Sequence, residues 1–123
     1  MTGFLAVGLG GGVGAVGRYA LSLLPYQGTF PLLTFLTNLF GAVLIGFIAG
    51  LAGQEHLSSG WTLFWKTGVC GGFTTFSTFS LESITLLEKG RYALGGLYMA
   101  LSVGLCLIGI LLGRRLSQLT FSS

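Results

Sequence analysis

The chain has 123 residues, of which 52% are hydrophobic and 7% are charged, and its formal net charge is +3. Soluble domains carry about 25% charged residues, so this composition, with a mean hydropathy of +0.86, excludes an ordinary soluble fold and predicts a membrane protein. The basic residues form no run, which argues against nucleic-acid binding.

Four apolar stretches are long enough to cross a bilayer, which takes about 20 helical residues. They lie at residues 2–24, 30–51, 61–87 and 92–112, and the loops between them are short. The first stretch lacks a preceding basic segment and is too long for the apolar part of a cleavable signal peptide. We therefore expect an all-α membrane protein with a single four-helix transmembrane domain over residues 1–123.

The first stretch is rich in glycines at four-residue spacing. Such pairs let membrane helices approach each other closely. Residues 12–17 also match the pattern GxGxxG, but no strand precedes them and the first acid in the chain is Glu55, so a dinucleotide site is excluded. The glycine pairs of the chain are Gly8/Gly12, Gly10/Gly14, Gly46/Gly50 and Gly109/Gly113.

The second stretch contains one polar residue that is costly to bury in lipid. Asn38 lies near its middle, and Thr34 lies four residues earlier on the same helix face. Both side chains can donate hydrogen bonds, so we expect them to line a polar path through the membrane.

The third stretch contains a glycine pair followed by hydroxyl and phenylalanine residues, over residues 71–80. Gly71 and Gly72 predict a break in the helix at mid-membrane. A break inside lipid is tolerated only where protein or a water-filled cavity surrounds it, so this decapeptide is a candidate ion or substrate site. Phe76 and Phe79 share a face of the half-helix after the break, and the positive edges of their rings can contact an anion.

The fourth stretch repeats a polar residue every four positions, at Tyr98, Ser102 and Cys106. With Ser77 and Thr78 of the third stretch, these residues suggest a hydroxyl-lined path. The alternative is that each hydroxyl bonds the backbone of its own helix. Cys106, like the buried Cys70, is interpreted as a small apolar residue because no ligand spacing surrounds either thiol.

The sign of the permeant species follows from the groups available. Glu82 lies about eight residues beyond the predicted break, about 12 Å along a helix, so the path is expected to lack a carboxylate at mid-span. Cation channels and proton-coupled pumps use intramembrane acids. Hydroxyls, the Asn38 amide and the cations Arg18 and Lys66 near the mouths favour an anion instead.

The basic residues are balanced between the two membrane sides. Four spans put Lys66, Arg114 and Arg115 on one side, and Arg18, Lys89 and Arg91 on the other. Three against three gives no positive-inside bias, which predicts insertion in both orientations and an antiparallel homodimer. The alternative is that a weak bias still selects one orientation.

The predicted break also frees backbone carbonyl groups, over residues 71–74. In an antiparallel dimer the two breaks meet at the midplane, and two carbonyls from each chain could enclose a small cation such as Na⁺. Its role would be structural, because it would satisfy carbonyls that lipid cannot.

Residues 17–19 (Gly-Arg-Tyr), 37–41 (Thr-Asn-Leu-Phe-Gly) and 71–80 (Gly-Gly-Phe-Thr-Thr-Phe-Ser-Thr-Phe-Ser) resemble motifs of the Fluc-type fluoride channels, the CrcB family. The resemblance covers essentially the whole chain. It implies a dual-topology homodimer in the bacterial inner membrane with two antiparallel fluoride pores and a central Na⁺. Such a protein exports fluoride passively from the cytoplasm.

The resemblance also implies a role for each residue that matches the family pattern. Gly71 and Thr74 resemble the carbonyl donors to Na⁺, Arg18 resembles a vestibule arginine, and Cys106 stands where a third hydroxyl is expected. The residues that resemble the fluoride pathway are Phe76, Phe79, Asn38, Thr34, Ser77, Thr78, Tyr98 and Ser102.

Two other functions compete with that of a fluoride channel. A small multidrug exporter shares the length and the four spans, but it needs a carboxylate in the first span, where this chain has none. A non-conducting scaffold subunit would not favour so costly a cluster of polar groups in lipid. One histidine and three acids provide no catalytic constellation, so the sequence predicts no enzyme.

Overall fold

The computed structural model describes residues 2–121, and every regular element within them is a helix. The first two helices are α1 (Thr2–Ser22) and α2 (Leu32–Gly53). A continuous helical run over residues 59–73 follows, made of α3 (Ser59–Thr62), a π-helical segment (Leu63–Cys70) and α4 (Gly71–Phe73). The last two helices are α5 (Phe76–Glu88) and α6 (Tyr92–Phe121).

Three helices, α1, α2 and α6, are each long and apolar enough to cross a membrane. They correspond to the first, second and fourth predicted stretches. Helix α6 continues nine residues past the predicted end at residue 112. The prediction relied on hydropathy, which marks the end of the apolar stretch, whereas the helix continues through the polar residues Arg114 and Arg115.

The third predicted stretch is divided between the 59–73 run and α5. The two are separated by Thr74 and Thr75, and both residues have extended backbones. Thr74 has φ −83° and ψ 155°, and Thr75 has φ −144° and ψ 117°. The glycine pair is still helical, so the interruption falls two residues later than the glycines suggested. Its depth in the bilayer stays a prediction.

Close helix contacts depend on glycines, as their spacing predicted. A Cβ atom on Gly14 would lie 2.8 Å from the Phe73 nitrogen of the 59–73 run, and one on Gly46 would lie 2.8 Å from the carbonyl carbon of Ile110 in α6. The helices are therefore in backbone contact at these points. Gly8 and Gly12, in contrast, have nothing within 4 Å of an added Cβ.

An aromatic cluster joins α2, α5 and α6 beside the interruption. Tyr98 is fully buried and packs against Phe30 and Phe79, with ring centroids 5.4 and 5.2 Å away. Phe35 and Leu86 complete this core. The cluster fixes the direction in which α5 leaves the interruption.

The glycine contacts yield a stability prediction. Gly46→Ala should lower the thermal unfolding midpoint of the purified protein in detergent, because overpacking against a backbone costs about 1–3 kcal/mol. Gly53→Ala, at the end of the same helix with nothing within 4 Å of its added Cβ, is the control. It should be neutral or slightly stabilising through helix propensity. Equal midpoints for both variants would contradict the close approach of α2 and α6.

Candidate functional site

The interruption between the 59–73 run and α5 is held by a side-chain amide from α2. Asn38 Oδ1 accepts a hydrogen bond from the Thr75 backbone N–H at 2.8 Å, and Asn38 Nδ2 donates to the Thr75 carbonyl at 3.1 Å. One side-chain amide thus makes the two hydrogen bonds that the backbone of a neighbouring β-strand would otherwise make. It satisfies both backbone polar groups of Thr75 without water.

Other groups at the interruption also receive specific partners. Arg18 of α1 donates its Nε–H to the Gly72 carbonyl at 3.0 Å, and the Thr74 hydroxyl donates to the Cys70 carbonyl at 2.8 Å. The Thr75 hydroxyl accepts from the Thr78 backbone N–H at 3.2 Å, so Thr75 is the N-cap of α5.

The carbonyls of Gly71 and Thr74 lose the partners that a continuous helix would give them. In a continuous helix their partners would be the N–H groups of Thr75 and Thr78. Those N–H groups instead bond the Asn38 and Thr75 side chains. The carbonyl oxygens of both residues that the sequence proposed as cation ligands thus lack their usual helical partners.

A cavity of about 330 Å³ lies beside the interruption, between α2, α5 and α6. It brings together six of the residues that the sequence singled out. Phe76 and Phe79 line one part of it, with ring centroids 5.7 Å apart, and 79% of the Phe76 side chain is exposed in the isolated chain. The predicted site residues in its wall are Asn38, Gly71, Thr74, Phe76, Phe79 and Ser102.

Ser102 carries a hydroxyl with no partner in the cavity wall. The residue is 5% exposed, and no hydrogen-bond partner for its Oγ is found in the described chain. A buried hydroxyl without a partner costs about 1–3 kcal/mol, so this group has a reason to bind a ligand or water. Cys106, one turn further along α6, places a thiol in the same wall.

Glu82 forms a second polar cluster that sequence reasoning missed. The Thr34 hydroxyl donates to Glu82 Oε2 at 3.1 Å, and the Tyr98 hydroxyl donates to Oε1 at 3.0 Å. Two predicted pathway donors therefore bond a carboxylate in this arrangement. The available signal was that a single acid within an apolar stretch needs a partner.

Two further cavities lie near these clusters. One of about 90 Å³ is lined by Arg18, Thr34, Thr75 and Thr78, and one of about 510 Å³ is lined by residues that include Thr34, Glu82 and Lys89. Of the predicted site residues, Ser77 and Tyr98 line none of the three cavities. The Ser77 hydroxyl lies 3.4 Å from that of Thr75, and Tyr98 is fully buried.

Side chains alone do not provide a metal centre within residues 2–121. No group of three or more histidine, cysteine, aspartate or glutamate side chains there could hold an ion. Any cation at the interruption would depend on backbone carbonyls such as those of Gly71 and Thr74.

The chain is similar in sequence to known proteins over nearly its whole length. The sequence model of the family described as CrcB-like protein, Camphor Resistance (CrcB), matches residues 5–114. The chain is 44% identical to the fluoride-specific ion channel FluC of Phocaeicola vulgatus, over 96% of this chain and 100% of the relative. It is 41% identical to the FluC of Clostridium novyi (95% and 94% covered) and 44% identical to FluC 2 of Nitrobacter hamburgensis (92% and 94% covered).

The Glu82 cluster yields a prediction about stability. Tyr98→Phe removes a buried hydrogen bond to a carboxylate, which is expected to destabilise the protein by about 1.5–3 kcal/mol and lower its unfolding midpoint in detergent. Tyr92→Phe, at an exposed position of the same helix, is the matched control and should leave the midpoint unchanged. A Tyr98→Phe variant as stable as the control would mean that the hydroxyl does not bond Glu82.

Proposed function

The chain belongs to the CrcB family, and on that premise we propose that this multi-pass membrane protein is a fluoride-selective channel of the bacterial inner membrane. It lets fluoride leave the cytoplasm passively, and it catalyses no reaction. The relatives named fluoride-specific ion channels support this proposal over nearly their full length. The rival functions, a drug exporter and a scaffold, receive no support from these relatives.

The observation that carries the proposal is the composition of the 330 Å³ cavity beside the interruption. Its wall combines Phe76 and Phe79 with the unpartnered hydroxyl of Ser102. A hydroxyl is a hydrogen-bond donor, and an aromatic ring has a weakly positive edge. Together they suit a small anion.

Fluoride is small and strongly hydrated, so a pore must replace its water shell with several close donors. Binding must still be weak enough for the ion to leave. Hydroxyl groups supply close contacts, and aromatic edges supply attraction without a full charge. Chloride is larger, so it cannot approach all of these donors as closely as fluoride can. The same donors therefore bind fluoride in preference to chloride.

The pathway continues from Phe79 towards Thr34, Tyr98 and Thr78, with Ser77 close to the interruption. Thr34 and Tyr98 bond Glu82 in this arrangement, so they donate to an anion only when they release that carboxylate. Arg18, beside the 90 Å³ cavity, contributes positive charge at a vestibule.

A second, antiparallel copy completes two pores in this proposal. Phe76 and Phe40 are 79% and 63% exposed, and Gly8 and Gly12 leave space for an added Cβ. A partner helix would cover such surfaces. The balance of basic residues between the two membrane sides supports opposite orientations of the two copies.

A structural Na⁺ at the dimer axis would be held by the carbonyl oxygens of Gly71 and Thr74, whose helical donors bond side chains instead. Hard cations prefer oxygen ligands, and each copy would offer two. An ion there would neutralise carbonyl dipoles that the interruption leaves without N–H partners. The carbonyls of Gly72 and Thr75 already accept hydrogen bonds from Arg18 and Asn38, so they have less need of a cation.

Fluoride efflux from liposomes tests the proposal. Purified protein in liposomes loaded with fluoride should release it rapidly when valinomycin carries the compensating K⁺, with no matching release of chloride. An absence of release from dimeric protein would contradict a fluoride channel.

The aromatic edges are tested in the same assay. Phe76→Ile and Phe79→Ile should each lower fluoride flux per dimer, because an aliphatic side chain offers no positive edge. Phe4→Ile, at an 83% exposed position of α1, is the control and should conduct like the wild type. Wild-type flux in both pathway variants would exclude the aromatic edges from conduction.

Orientation is tested by adding charge to the loop before α6. Two lysines inserted beside Lys89 should bias insertion to one orientation and depress fluoride flux in cells. Co-expression with a variant biased the other way should restore it. Unchanged flux in the lysine variant expressed alone would argue for a parallel assembly.

A further inference from the structure

We propose that Lys89 is a further functional residue of the channel, whose positive charge draws fluoride into the 510 Å³ cavity and so to the Glu82 cluster. This inference rests on the proposed fluoride channel and extends it, because it names an entrance for the ion and the group that concentrates the ion there. In the sequence, Lys89 counts only towards the balance of basic residues between the two membrane sides.

The 510 Å³ cavity lies where several helices begin or end. Its wall includes Gly28 of the loop between α1 and α2, Leu32 at the start of α2, and Lys89 directly after the end of α5. Irregular loops that face lipid do not occur within the hydrocarbon region, so this group of helix ends belongs near a membrane surface. The cavity is therefore in a position to receive ions from water.

Part of the cavity wall belongs to the Glu82 cluster. Glu82 and Thr34 both line the cavity, and the Thr34 hydroxyl donates to the Glu82 carboxylate at 3.1 Å. Thr34 also lines the 90 Å³ cavity, whose wall includes Arg18 and Thr78. Thr34 thus joins the 510 Å³ cavity to polar residues of the proposed pathway.

Glu82 and Lys89 share a face of α5. Lys89 follows Glu82 by seven positions, which is about two helical turns and about 10 Å along the axis. Thr85 lies between them and also lines the cavity, but its hydroxyl donates within the helix, to the Leu81 carbonyl at 2.8 Å. Glu82 and Lys89 are the charged residues among those that line the cavity, so they set the local charge that an entering anion meets.

The Glu82 carboxylate alone would repel an anion from this entrance. A positive unit charge about 10 Å away raises the local anion concentration about two- to tenfold in a medium between water and a protein surface. Lys89 is exposed and supplies that charge. The Debye length falls from about 10 Å at 0.1 M salt to about 3 Å at 1 M, so the attraction should vanish at high ionic strength.

A purely structural role for Lys89 makes a different prediction. A lysine at the C-terminal end of a helix stabilises the helix through its dipole, and Lys89 caps α5. That role would change the yield of folded protein. It would give fluoride flux per folded dimer no dependence on ionic strength that the wild type lacks.

The first part of the test compares neutralised variants at sub-saturating fluoride. Lys89→Gln should lower fluoride flux per folded dimer about two- to tenfold at low ionic strength, and about 1 M of a salt of large organic ions should abolish the difference from wild type. Arg91→Gln is the matched control and should conduct like the wild type, because Arg91 is exposed two residues further on and lines none of the three cavities. Both variants remove one basic residue from the same membrane side, so any effect on insertion is common to both.

The second part of the test installs the charge after the protein has folded. Lys89→Cys is reacted in a planar bilayer with a methanethiosulfonate reagent that adds either an ammonium or a sulfonate group. At low ionic strength the ammonium adduct should carry more fluoride current than the sulfonate adduct, and high ionic strength should remove the difference. Arg91→Cys, treated in the same way, should show no such difference. Treated wild type controls for reaction at the natural thiols of Cys70 and Cys106.

Each outcome bears on the role of Lys89. A loss of flux that is equal at low and high ionic strength, or that Arg91→Gln reproduces, would overturn the proposal. Equal currents from the two adducts of the Lys89→Cys variant at low ionic strength would overturn it as well. Wild-type protein without fluoride conduction would instead contradict the proposed function itself.

Discussion

The need to give partners to the backbone polar groups at the helix interruption dominates this structure. A helix that stops at Phe73 and restarts at Phe76 leaves N–H and carbonyl groups without their helical partners. Asn38 supplies two of the missing hydrogen bonds, and Arg18 and the Thr75 hydroxyl supply one each. Because Arg18 lies on α1 and Asn38 on α2, the interruption ties these two helices to the start of α5, and the cavity lies beside this junction.

Glu82 is a second constraint, because its carboxylate competes with an anion for hydroxyl donors. It accepts hydrogen bonds from Thr34 and Tyr98, so two hydroxyls that could serve an anion are held by a carboxylate. A permanently free set of donors would bind a small anion tightly and release it slowly. In the proposed channel, hydroxyls shared between Glu82 and a passing ion would avoid that problem, since the ion would receive them only by exchange.

Much of the fold could be predicted from the sequence, because hydropathy and glycine spacing act locally. The apolar stretches, the packing of Gly10, Gly14 and Gly46, and the polar residues beside the interruption follow from such patterns. The exact position of the interruption does not follow from such patterns. Gly71 and Gly72 remain helical, and the pairing of Asn38 with the Thr75 backbone decides where the helix ends. The Glu82 cluster joins residues 16 and 48 positions apart, and no local pattern encodes that contact.

The central claim, that this fold conducts fluoride passively and selectively, is tested most directly by a reversal potential. Wild-type protein in a planar bilayer, with a fluoride gradient and equal chloride on both sides, should give a current that reverses at the fluoride equilibrium potential. A current that reverses at zero voltage, or that follows an imposed chloride gradient, would contradict selective fluoride conduction.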